Sequence, residues 1–435
     1  MRQLHTNKSS YYEMGEEKMS NYKEVKCIRC GRPMETAYYD SCPYCKKDGY
    51  NINYETIYDC NNKKLPEKIE EWDGIYRFKD FYSLSEKAPY ISLGEGNTPL
   101  HKLRRIGKEL GLNHLYMKDE SKNPTMSHKD RMCSLIVSKA LADGAPGVVI
   151  SSTGNQGAAT AAYAAAANLP CVVFTTPNVS ATMKTLMQAY GAQVFVTPTM
   201  ADRGIIMEKL VRELGYYPAS GLASPPIGSS CFGVDGYKSI AFEVFEQMGN
   251  EIPDWFVIPI SYGDTLYGIS KGMKDLKEMG YTDKLPKLIA AEVFHAAETN
   301  LKEENEIPVE QPSKPSVQTS IATGWVTYQT LRALKECGGM ARTSHDEEAL
   351  AMQQRLAKTE GVYAETASCA SLVALEKLVK EGIVTPDDKV VVLITSTGIK
   401  DPETTNSYLP KVPCIKPTLE EFKKAMKDSY GIEVK

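Results

Sequence analysis

Four loops of this chain carry residue types that could bind or transform a small molecule, and the first contains Lys129. This lysine lies in the run Asn-Pro-Thr-Met-Ser-His-Lys-Asp-Arg, which opens an amphipathic stretch. The positive end of a helix dipole disfavours a charged amine, so the pKa of a lysine near a helix N-terminus is lowered. A partly deprotonated lysine attacks carbonyl carbons, which suits a Schiff base. A surface Lys-Asp-Arg turn fits the same motif.

The second loop, residues 151–157, follows the run Gly-Val-Val-Ile and precedes an alanine-rich stretch. Its sequence, Ser-Ser-Thr-Gly-Asn-Gln-Gly, combines hydroxyl groups and glycines with the free N–H groups of a helix N-terminus. Such a loop is a cradle for a carboxylate or a phosphate, and the amide of Asn155 could hold a phenolic oxygen. The alternative is a simple capped turn.

Two further loops follow predicted strands, and each carries a weaker signal. Residues 259–265 read Pro-Ile-Ser-Tyr-Gly-Asp-Thr, whose glycine and hydroxyl groups could bind a phosphate, although Asp264 is an unfavourable neighbour for an anion. Residues 395–398 read Thr-Ser-Thr-Gly and follow the last apolar run. Parallel sheets bind ligands at the carboxyl ends of their strands, so both loops are candidates for ligand contacts.

Four of the eleven cysteines form two pairs, Cys27 with Cys30 and Cys42 with Cys45, and each pair is separated by two residues. Two such pairs surround one tetrahedral ion, and zinc suits four thiolates best. The spacing predicts a zinc ribbon, with a lost metal or disulfide pairing as the alternative. Four thiolates leave no coordination position open, so the predicted role of the ribbon is structural.

These loops are positioned by short apolar runs that alternate with amphipathic stretches, which predicts parallel sheet covered by helices on both faces. The predicted strands are 114–118, 147–152, 171–175, 193–197, 255–260, 288–294 and 389–395. The predicted helices are 130–142, 155–168, 182–190, 201–214, 235–248, 264–278, 325–336, 346–359 and 367–381. Residues 61–90 are interpreted as a connecting arm, and residues 303–316 as a surface loop.

Composition and charge restrict the class of protein further. Of the 435 residues, 42% are hydrophobic and 24% are charged, which excludes disorder and a fibrous repeat. Lysine and arginine number 51 and aspartate and glutamate 55, a net charge of −4, so there is no general footprint for nucleic acid or anionic lipid. The polar start does not read as a signal peptide, and no apolar run is long enough for a membrane helix. We expect a soluble, cytoplasmic protein.

Five motifs, taken in order, resemble those of threonine synthase and its relatives, which are pyridoxal-phosphate enzymes of fold type II in the tryptophan synthase β superfamily. The motifs are Gly-Glu-Gly-Asn-Thr-Pro-Leu at 94–100, Asn-Pro-Thr-Met-Ser-His-Lys-Asp-Arg at 123–131, Ser-Ser-Thr-Gly-Asn-Gln-Gly at 151–157, Glu-Gly-Val-Tyr-Ala-Glu-Thr-Ala-Ser-Cys-Ala-Ser-Leu at 360–372 and Ile-Thr-Ser-Thr-Gly-Ile-Lys-Asp-Pro at 394–402. The leading cysteine ribbon is also similar, because several threonine synthases carry one.

The resemblance implies an α/β fold of two parallel-sheet domains with the cofactor between them, preceded by the small zinc ribbon. The implied division is the ribbon at 20–60, a large cofactor-binding domain at 61–128 and 236–410, a smaller mobile domain at 129–235, and a C-terminal tail at 411–435. We expect the tail to pack on the outside of the protein.

The resemblance also implies roles for single residues. Lys129 is the catalytic residue and forms the internal aldimine with pyridoxal 5′-phosphate, and Asn155 holds the 3-hydroxyl oxygen of the cofactor. The implied cofactor contacts are His128, Lys129, Asn155, Ser261, Tyr262, Gly263, Asp264, Thr265 and Thr395. The implied substrate contacts are Glu95, Thr125, Ser152, Thr153, Gln156 and Lys184. A neutral Thr395 hydroxyl at the pyridine nitrogen favours elimination and replacement over transamination, because it leaves the ring a weaker electron sink.

The implied reaction converts O-phosphohomoserine to threonine and phosphate, in a homodimer that acts on a small amino acid and has no nucleic-acid or membrane partner. The alternative is β-replacement, β-elimination or a thiolase-type reaction on another small amino acid, as in cysteine or cysteate synthases and ammonia-lyases. Met126, His128 and Met132 keep this alternative open, because they stand where the family usually has glycine, phenylalanine and glycine. A hypothesis from another class is a non-catalytic protein whose ribbon binds nucleic acid or a partner.

Overall fold

The computed structural model describes residues 21–67, 74–85 and 87–434, apart from the side chain of Met200. Residue 20 of the predicted ribbon lies outside the described residues. The same holds for residues 68–73 and residue 86 of the predicted large domain, and for residue 435 of the predicted tail.

The N-terminal ribbon consists of an antiparallel hairpin with a short helix between its strands. Strand β1 (Tyr22–Cys27) pairs with β2 (Tyr54–Tyr58), and helix α1 (Pro43–Lys47) carries the second cysteine pair. Burial alternates along β2 because successive side chains of a strand point to opposite faces. The buried face of the ribbon joins the main hydrophobic core of the protein, so the ribbon is not a separate appendage.

The larger sheet has six strands, and they are parallel except for one edge strand. These strands are β3 (Leu100–Lys102), β4 (His114–Asp119), β9 (Trp255–Pro259), β10 (Lys287–Glu292), β11 (Met340–Thr343) and β12 (Lys389–Ile394). Their order across the sheet is β11-β10-β9-β12-β4-β3, and only β3 runs antiparallel to its neighbour. All five residues of the central strand β9 are buried, as expected for a strand covered on both faces.

The smaller sheet has four parallel strands. They are β5 (Val148–Ser151), β6 (Cys171–Thr175), β7 (Gln193–Val196) and β8 (Tyr217–Pro218). Their order is β7-β6-β5-β8, with β7 at one edge. All four strands lie within the segment 129–235 that was expected to form the smaller domain. The division of the chain at those residues, and the mobility of that domain, remain predictions.

Helices connect and cover the strands of both sheets. They are α2 (Arg104–Leu110), α3 (Lys129–Ala142), α4 (Asn155–Ala166), α5 (Ala181–Ala189), α6 (Met200–Leu214), α7 (Cys231–Val234), α8 (Lys238–Gln247), α9 (Asp264–Glu278), α10 (Ala296–Lys302), α11 (Tyr328–Glu336), α12 (Asp346–Glu360), α13 (Thr366–Lys380), α14 (Pro402–Asn406) and α15 (Leu419–Tyr430). The sequence-based prediction of an α/β protein with parallel sheets is thereby confirmed.

Every predicted strand and helix is present, with ends that differ by three residues or fewer. The prediction missed the edge strands β3, β8 and β11, which have two to four residues each, and the two strands of the ribbon. It also missed helices α1, α2, α7, α10, α14 and α15. It also interpreted residues 61–90 as a connecting arm. In the structure, Gly74–Phe81 form a 3₁₀ helix whose Ile75 and Phe78 side chains are fully buried. This segment is therefore part of the core. The sequence did not predict this, because the segment has no regular hydrophobic period.

The C-terminal tail ends in α15, which has no buried residue. The division of the chain at residue 411, and the packing of residues 411–434 on the outside of the protein, remain predictions. In the part of the chain that the structure describes, we find no helix with both the length and the apolar character needed to cross a membrane.

Candidate active site

Lys129 is the first residue of α3, in the loop region that follows the carboxyl end of β4. Its side chain is half-buried, and its Nζ atom lies 5.7 Å from the centre of the Tyr237 ring. Burial lowers the pKa of the Lys129 amine, while the nearby Asp264 carboxylate opposes this shift. The amine is therefore closer to a reactive, neutral state than a surface lysine would be.

A buried ion cluster anchors the first turn of α3. The Arg131 guanidinium donates to Glu120 Oε2 at 2.7 Å and to Glu243 Oε1 at 2.6 Å. The Lys118 ammonium donates to Glu243 Oε2 at 2.7 Å. All four side chains are almost completely buried, so each charge depends on its partners for stabilisation. The cluster ties α3 to β4 and α8, and thereby fixes the backbone that carries Lys129.

His128 precedes Lys129 and packs between Tyr237 and the end of β12. Its ring stacks on Tyr237 at a centroid distance of 5.6 Å, and its Nδ1 atom lies 3.1 Å from the carbonyl oxygen of Thr395. A carbonyl oxygen can only accept, so Nδ1 carries the proton that is donated. Burial lowers the pKa of His128 well below its usual value. The ring is therefore a neutral spacer, and it ties the start of α3 to the end of β12.

Thr125, expected to contact substrate, is occupied within its own loop. Its hydroxyl donates to Asp130 Oδ1 at 2.6 Å, and its backbone N–H donates to Asp130 Oδ2 at 2.9 Å. Burial raises the pKa of Asp130 to about 7. Thr125 and Asp130 thus close the loop that leads into Lys129, and a substrate contact by Thr125 stays a prediction.

The loop between β5 and α4 is shaped by Ser152. The Ser152 hydroxyl oxygen accepts hydrogen bonds from the N–H groups of Gly154 at 3.2 Å and Gly157 at 3.1 Å. The side-chain amide of Gln156 donates to the Ala219 carbonyl at 3.0 Å, and Thr153 is exposed. Among the described residues, the N–H groups of Asn155 and Gln156 in the first turn of α4 have no backbone partner, so they are available for an anion.

Asn155 begins α4 and lies at the centre of a hydrogen-bond network. Its Oδ1 atom accepts from Lys400 Nζ at 2.7 Å and from the Ser396 hydroxyl at 3.3 Å. Its Nδ2 atom donates to Glu365 Oε2 at 2.8 Å and to Ser320 Oγ at 3.4 Å. These partners fix which way the amide faces, because Oδ1 meets two donors and Nδ2 meets a carboxylate.

The loop between β9 and α9 makes a tight turn at Gly263, whose φ is +98°. A Cβ atom at this position would lie 2.1 Å from the Thr330 hydroxyl oxygen, so only glycine fits. The hydroxyl groups of Thr327 and Thr330 donate to the Tyr262 carbonyl at 2.9 and 3.0 Å. These contacts hold the loop in place at the start of α9.

Asp264 begins α9 and is a buried acid within this loop. Its Oδ2 atom accepts from the Ser229 N–H at 2.9 Å, and its Oδ1 atom accepts no hydrogen bond from the described residues. Burial raises the pKa of Asp264, while Lys129 opposes the shift. Of the other loop residues, Ser261 and Tyr262 are half-buried and Thr265 is buried.

Thr395, at the end of β12, has its hydroxyl 2.7 Å from the hydroxyl of Ser368 on α13. Both groups are buried, and neither carries a charge. Glu95 is also buried, and its Oε2 atom accepts from Tyr163 at 2.9 Å and from Ser92 at 3.0 Å. Lys184 lies exposed on α5. Substrate contacts by Glu95 and Lys184 therefore stay predictions.

The structure thus gathers Lys129, His128, Asn155 and Thr395 through a continuous set of contacts, and Asp264 lies near the lysine. Two residues of this site escaped the sequence reasoning, Lys400 and Glu365, which are 3% and 7% exposed. Both lie inside quoted motifs, and Lys400 follows the last strand of the larger sheet. Lys400 lies just after the carboxyl end of a buried strand, and Glu365 lies at the start of a buried helix. These positions were the sequence signal that could have identified the two residues.

The residues present fit the cofactor that the resemblance implies. Lys129 offers an amine whose pKa burial lowers, and the starts of α4 and α9 offer N–H groups to anionic oxygens. The Thr395 hydroxyl offers a neutral partner to a ring nitrogen. A charged Asp264 would be an unfavourable neighbour for a phosphate, and burial raises the pKa of Asp264 towards the protonated form, which can donate a hydrogen bond.

Comparison with known proteins gives consistent matches along most of the chain. A family model described as pyridoxal-phosphate dependent enzyme matches residues 91–396. A threonine synthase of Methanocaldococcus jannaschii is 32% identical over 389 residues, which covers 87% of this chain and 93% of the relative. A threonine synthase of Halalkalibacterium halodurans is 34% identical over 360 residues, covering 81% of this chain and 97% of the relative.

Solved structures share the fold at lower sequence identity. Maize serine racemase superposes with a TM-score of 0.60 and 18% identity, over 72% of this chain and 91% of that one. O-ureido-L-serine synthase superposes with a TM-score of 0.57 and 22% identity, over 70% of this chain and 90% of that one. At these identities the similarity describes the fold.

Proposed function

The chain belongs to the family of pyridoxal-phosphate-dependent enzymes, and on this premise we propose that it acts as a threonine synthase-like lyase on a small amino acid. The proposed reaction converts O-phosphohomoserine to threonine and inorganic phosphate. The observation that carries the proposal is the position of Lys129, half-buried at a helix start, where burial lowers the pKa of its amine. The 31–34% identity to several threonine synthases supports the choice of substrate.

Lys129 has the central role in the proposed mechanism. When bound, pyridoxal phosphate supplies an aldehyde that condenses with amines and a ring that accepts electrons from the α-carbon. The Nζ atom of Lys129 holds the cofactor between turnovers. After the substrate amine takes its place, Nζ accepts the α-proton and carries protons between neighbouring carbons. Its lowered pKa suits this work, since a general base must be deprotonated near neutral pH.

The other residues of the candidate site bind and orient the substrate and the cofactor. The N–H groups and hydroxyls at residues 152–156 hold the substrate carboxylate, and those at residues 261–265 hold the cofactor phosphate. Asn155 would hold the 3-oxygen of the ring, and Thr395 would offer its neutral hydroxyl to the ring nitrogen. A neutral partner there favours elimination and replacement, because the ring then withdraws fewer electrons than one paired with a carboxylate.

The four-cysteine cluster is proposed to hold a structural zinc ion. The Sγ atoms of Cys27, Cys30, Cys42 and Cys45 lie within 4.8 Å of one another, with two of the separations at 3.7 Å. Tetrahedral zinc with bonds of about 2.3 Å requires sulfur–sulfur distances of about 3.8 Å. A disulfide requires about 2.05 Å, so the geometry favours the metal. The cytoplasmic location and the homodimer expected from the resemblance remain predictions.

The test is a titration of the purified protein, loaded with pyridoxal phosphate, with O-phospho-L-homoserine. Visible absorbance, released phosphate and threonine are measured in the same sample. We expect the absorbance band to shift and phosphate and threonine to appear in equal amounts. Lys129→Ala should abolish the band and the products, whereas Lys122→Ala, which removes an exposed lysine of the preceding turn, should leave both unchanged.

A normal absorbance band without release of phosphate would overturn the substrate and retain the cofactor. In that case β-substituted alanines become the next substrates to test, as the β-replacement alternative requires. Survival of the band in Lys129→Ala would overturn the assignment of the lysine itself.

A further inference from the structure

A second buried lysine, Lys400, reaches the active site and has no role in the mechanism given above. It lies in the 3₁₀ turn Gly398–Lys400 that follows β12, and it is 3% exposed. Its Nζ atom donates to Asn155 Oδ1 at 2.7 Å. A buried ammonium group is costly unless it is hydrogen-bonded and close to negative charge, so its position calls for a physical reason.

The contacts of Lys400 decide the orientation of the Asn155 amide. An amide flipped by 180° would place its NH₂ group against the Lys400 ammonium, donor against donor, and its oxygen against the Glu365 carboxylate. In the observed orientation Lys400 donates to Oδ1, and Nδ2 donates to Glu365 Oε2 at 2.8 Å. Lys400 and Glu365 therefore hold Asn155 from its two ends.

These contacts also join the two sheets. Asn155 opens α4, which packs on strands β5 and β6 of the smaller sheet. Lys400 follows β12 of the larger sheet, and Glu365 precedes α13, which packs against the same sheet. The network thus holds the start of α4 against the larger sheet at the active site.

The charged groups around Lys400 come from three elements. Burial lowers the pKa of Lys400 to about 8, and the carboxylates of Glu365 and Asp130 oppose this shift. The Lys400 charge in turn helps to lower the pKa of His128. Glu365 also acts on Lys129, whose pKa it raises. Lys400 and Glu365 therefore place opposite charges within range of the reacting groups.

We propose that Lys400 is a positioning residue, which together with Glu365 orients the Asn155 amide at the 3-oxygen of the cofactor and fastens α4 to the larger sheet. The proposal rests on the proposed function for the identity of the cofactor, but not for the substrate. Lys400 acts through Asn155 and through its charge.

Two consequences separate this role from a merely structural one. A positive charge disfavours protonation of its neighbours, so removing it raises the pKa of groups that titrate nearby, and removing a negative charge lowers it. Lys400→Met and Glu365→Gln should therefore shift the pH midpoint of the bound cofactor's visible absorbance in opposite directions. In addition, the start of α4 should open more often in the cofactor-free protein once Asn155 is released.

The experiment compares Lys400→Met, Lys400→Arg and Glu365→Gln with the wild type. Lys377→Met is the matched control, because it removes a half-buried lysine that donates to Glu348 and to a backbone carbonyl on the same sheet, away from Asn155. Three quantities are measured: amide hydrogen exchange of residues 157–160 without cofactor, the Kd for pyridoxal phosphate, and the pH midpoint of the visible absorbance.

For Lys400→Met we expect hydrogen exchange at the start of α4 to be faster by about tenfold or more, and cofactor binding to be weaker by a similar factor. We expect the absorbance midpoint to rise by about 1 pH unit. Lys400→Arg keeps the positive charge, so its absorbance midpoint should lie closer to the wild-type value than that of Lys400→Met. Glu365→Gln should lower the midpoint. Lys377→Met should change none of the three.

The proposal is overturned if Lys400→Met leaves both the midpoint and the exchange of residues 157–160 at the wild-type values. It is also overturned if Lys400→Met and Glu365→Gln shift the midpoint in the same direction. Should Lys400→Met fail to fold, the sign of the Glu365→Gln shift and the behaviour of Lys400→Arg still decide. None of these readouts uses phosphohomoserine, so a wrong substrate assignment leaves the test intact.

Discussion

The cysteine cluster and the active site differ in how their parts are brought together. The four cysteines lie within residues 27–45, where one hairpin and a short helix suffice to gather them. The active-site groups Lys129, Asn155, Asp264 and Lys400 come from four loops separated by tens to more than a hundred residues. Short-range spacing can specify the first site, whereas the second depends on the strand order of two sheets.

The two regions are nevertheless connected by a continuous set of contacts. Asn53, next to β2 in the ribbon, donates to the carbonyl groups of Ile227 at 2.9 Å and Ser229 at 3.0 Å. The Ser229 N–H donates to Asp264 Oδ2 at 2.9 Å, in the loop expected to hold the cofactor phosphate. Gly228 lies against this carboxylate so closely that a Cβ atom would be 2.3 Å from Asp264 Oδ1. The ribbon therefore supports one wall of the active site.

The largest effect is expected from removal of the metal from the ribbon. Structural zinc contributes about 10 kcal/mol or more to the folding of small zinc-binding peptides. We therefore expect Cys42→Ser to reduce the zinc content from one ion per chain to near zero and to unfold residues 21–60. Metal analysis and amide hydrogen exchange of that segment measure both effects.

Cys414→Ser, which changes an exposed cysteine of the tail, is the matched control and should alter neither quantity. A Cys42→Ser protein with full zinc content and protected amides at residues 21–60 would contradict both the metal site and the view that local spacing makes the ribbon.

The next effect concerns the buried ion cluster below Lys129. Arg131→Leu leaves Glu120 and Glu243 without their guanidinium partner in the protein interior. Breaking a buried pair from one side costs about 3–5 kcal/mol, so we expect the free energy of unfolding to fall by that amount. Denaturant unfolding of the cofactor-free protein measures it.

Arg355→Leu provides the comparison, because Arg355 forms salt bridges with Glu109 and Glu376 on the surface. Surface pairs contribute about 0–1 kcal/mol. Equal losses in the two variants would mean that the cluster does not hold the start of α3, and that the active site has another anchor.

The smallest effect tests the contact between the two regions. Asn53→Ala leaves the carbonyl groups of Ile227 and Ser229 without this donor, and should reduce the free energy of unfolding by about 1–3 kcal/mol. Because Ser229 binds Asp264, we also expect weaker binding of pyridoxal phosphate with an unchanged zinc content. Denaturant unfolding, a cofactor titration and metal analysis measure the three quantities.

Asn61→Ala, an exposed asparagine of the same segment, is the control. If Asn53→Ala binds pyridoxal phosphate as tightly as Asn61→Ala, the ribbon and the active site are neighbours without functional connection.

Sequence reasoning located the loops of the candidate active site but not all of the residues that contact one another there. Lys129 and Asn155 were found because each stands at a predicted strand-to-helix junction. Lys400 and Glu365 lie in motifs that were also singled out, yet nothing in their spacing shows that they meet Asn155. That meeting depends on the packing of α4 against the end of β12, which brings together residues 245 positions apart.

Several residues expected to contact substrate also form hydrogen bonds within the protein, and their substrate contacts remain predictions. Thr125 and Gln156 have the polar groups expected of substrate contacts, but Asp130 and the Ala219 carbonyl occupy them. Glu95 is similarly held by Tyr163 and Ser92. A polar side chain in a loop finds a protein partner whenever burial makes an unpaired group costly, and the sequence does not show which partner is near.

The sequence alone predicted the parallel sheets, their longer strands and helices, and the cysteine cluster, because hydrophobic period and short-range spacing act between residues close along the chain. It also singled out Lys129 as a candidate, since the helix start and its neighbours lie in one motif. Only the tertiary structure decided that Lys400 and Glu365 hold Asn155, and that the ribbon supports the Asp264 loop. Each of these contacts joins segments far apart in sequence, and their geometry follows from strand order and packing, which no local pattern encodes.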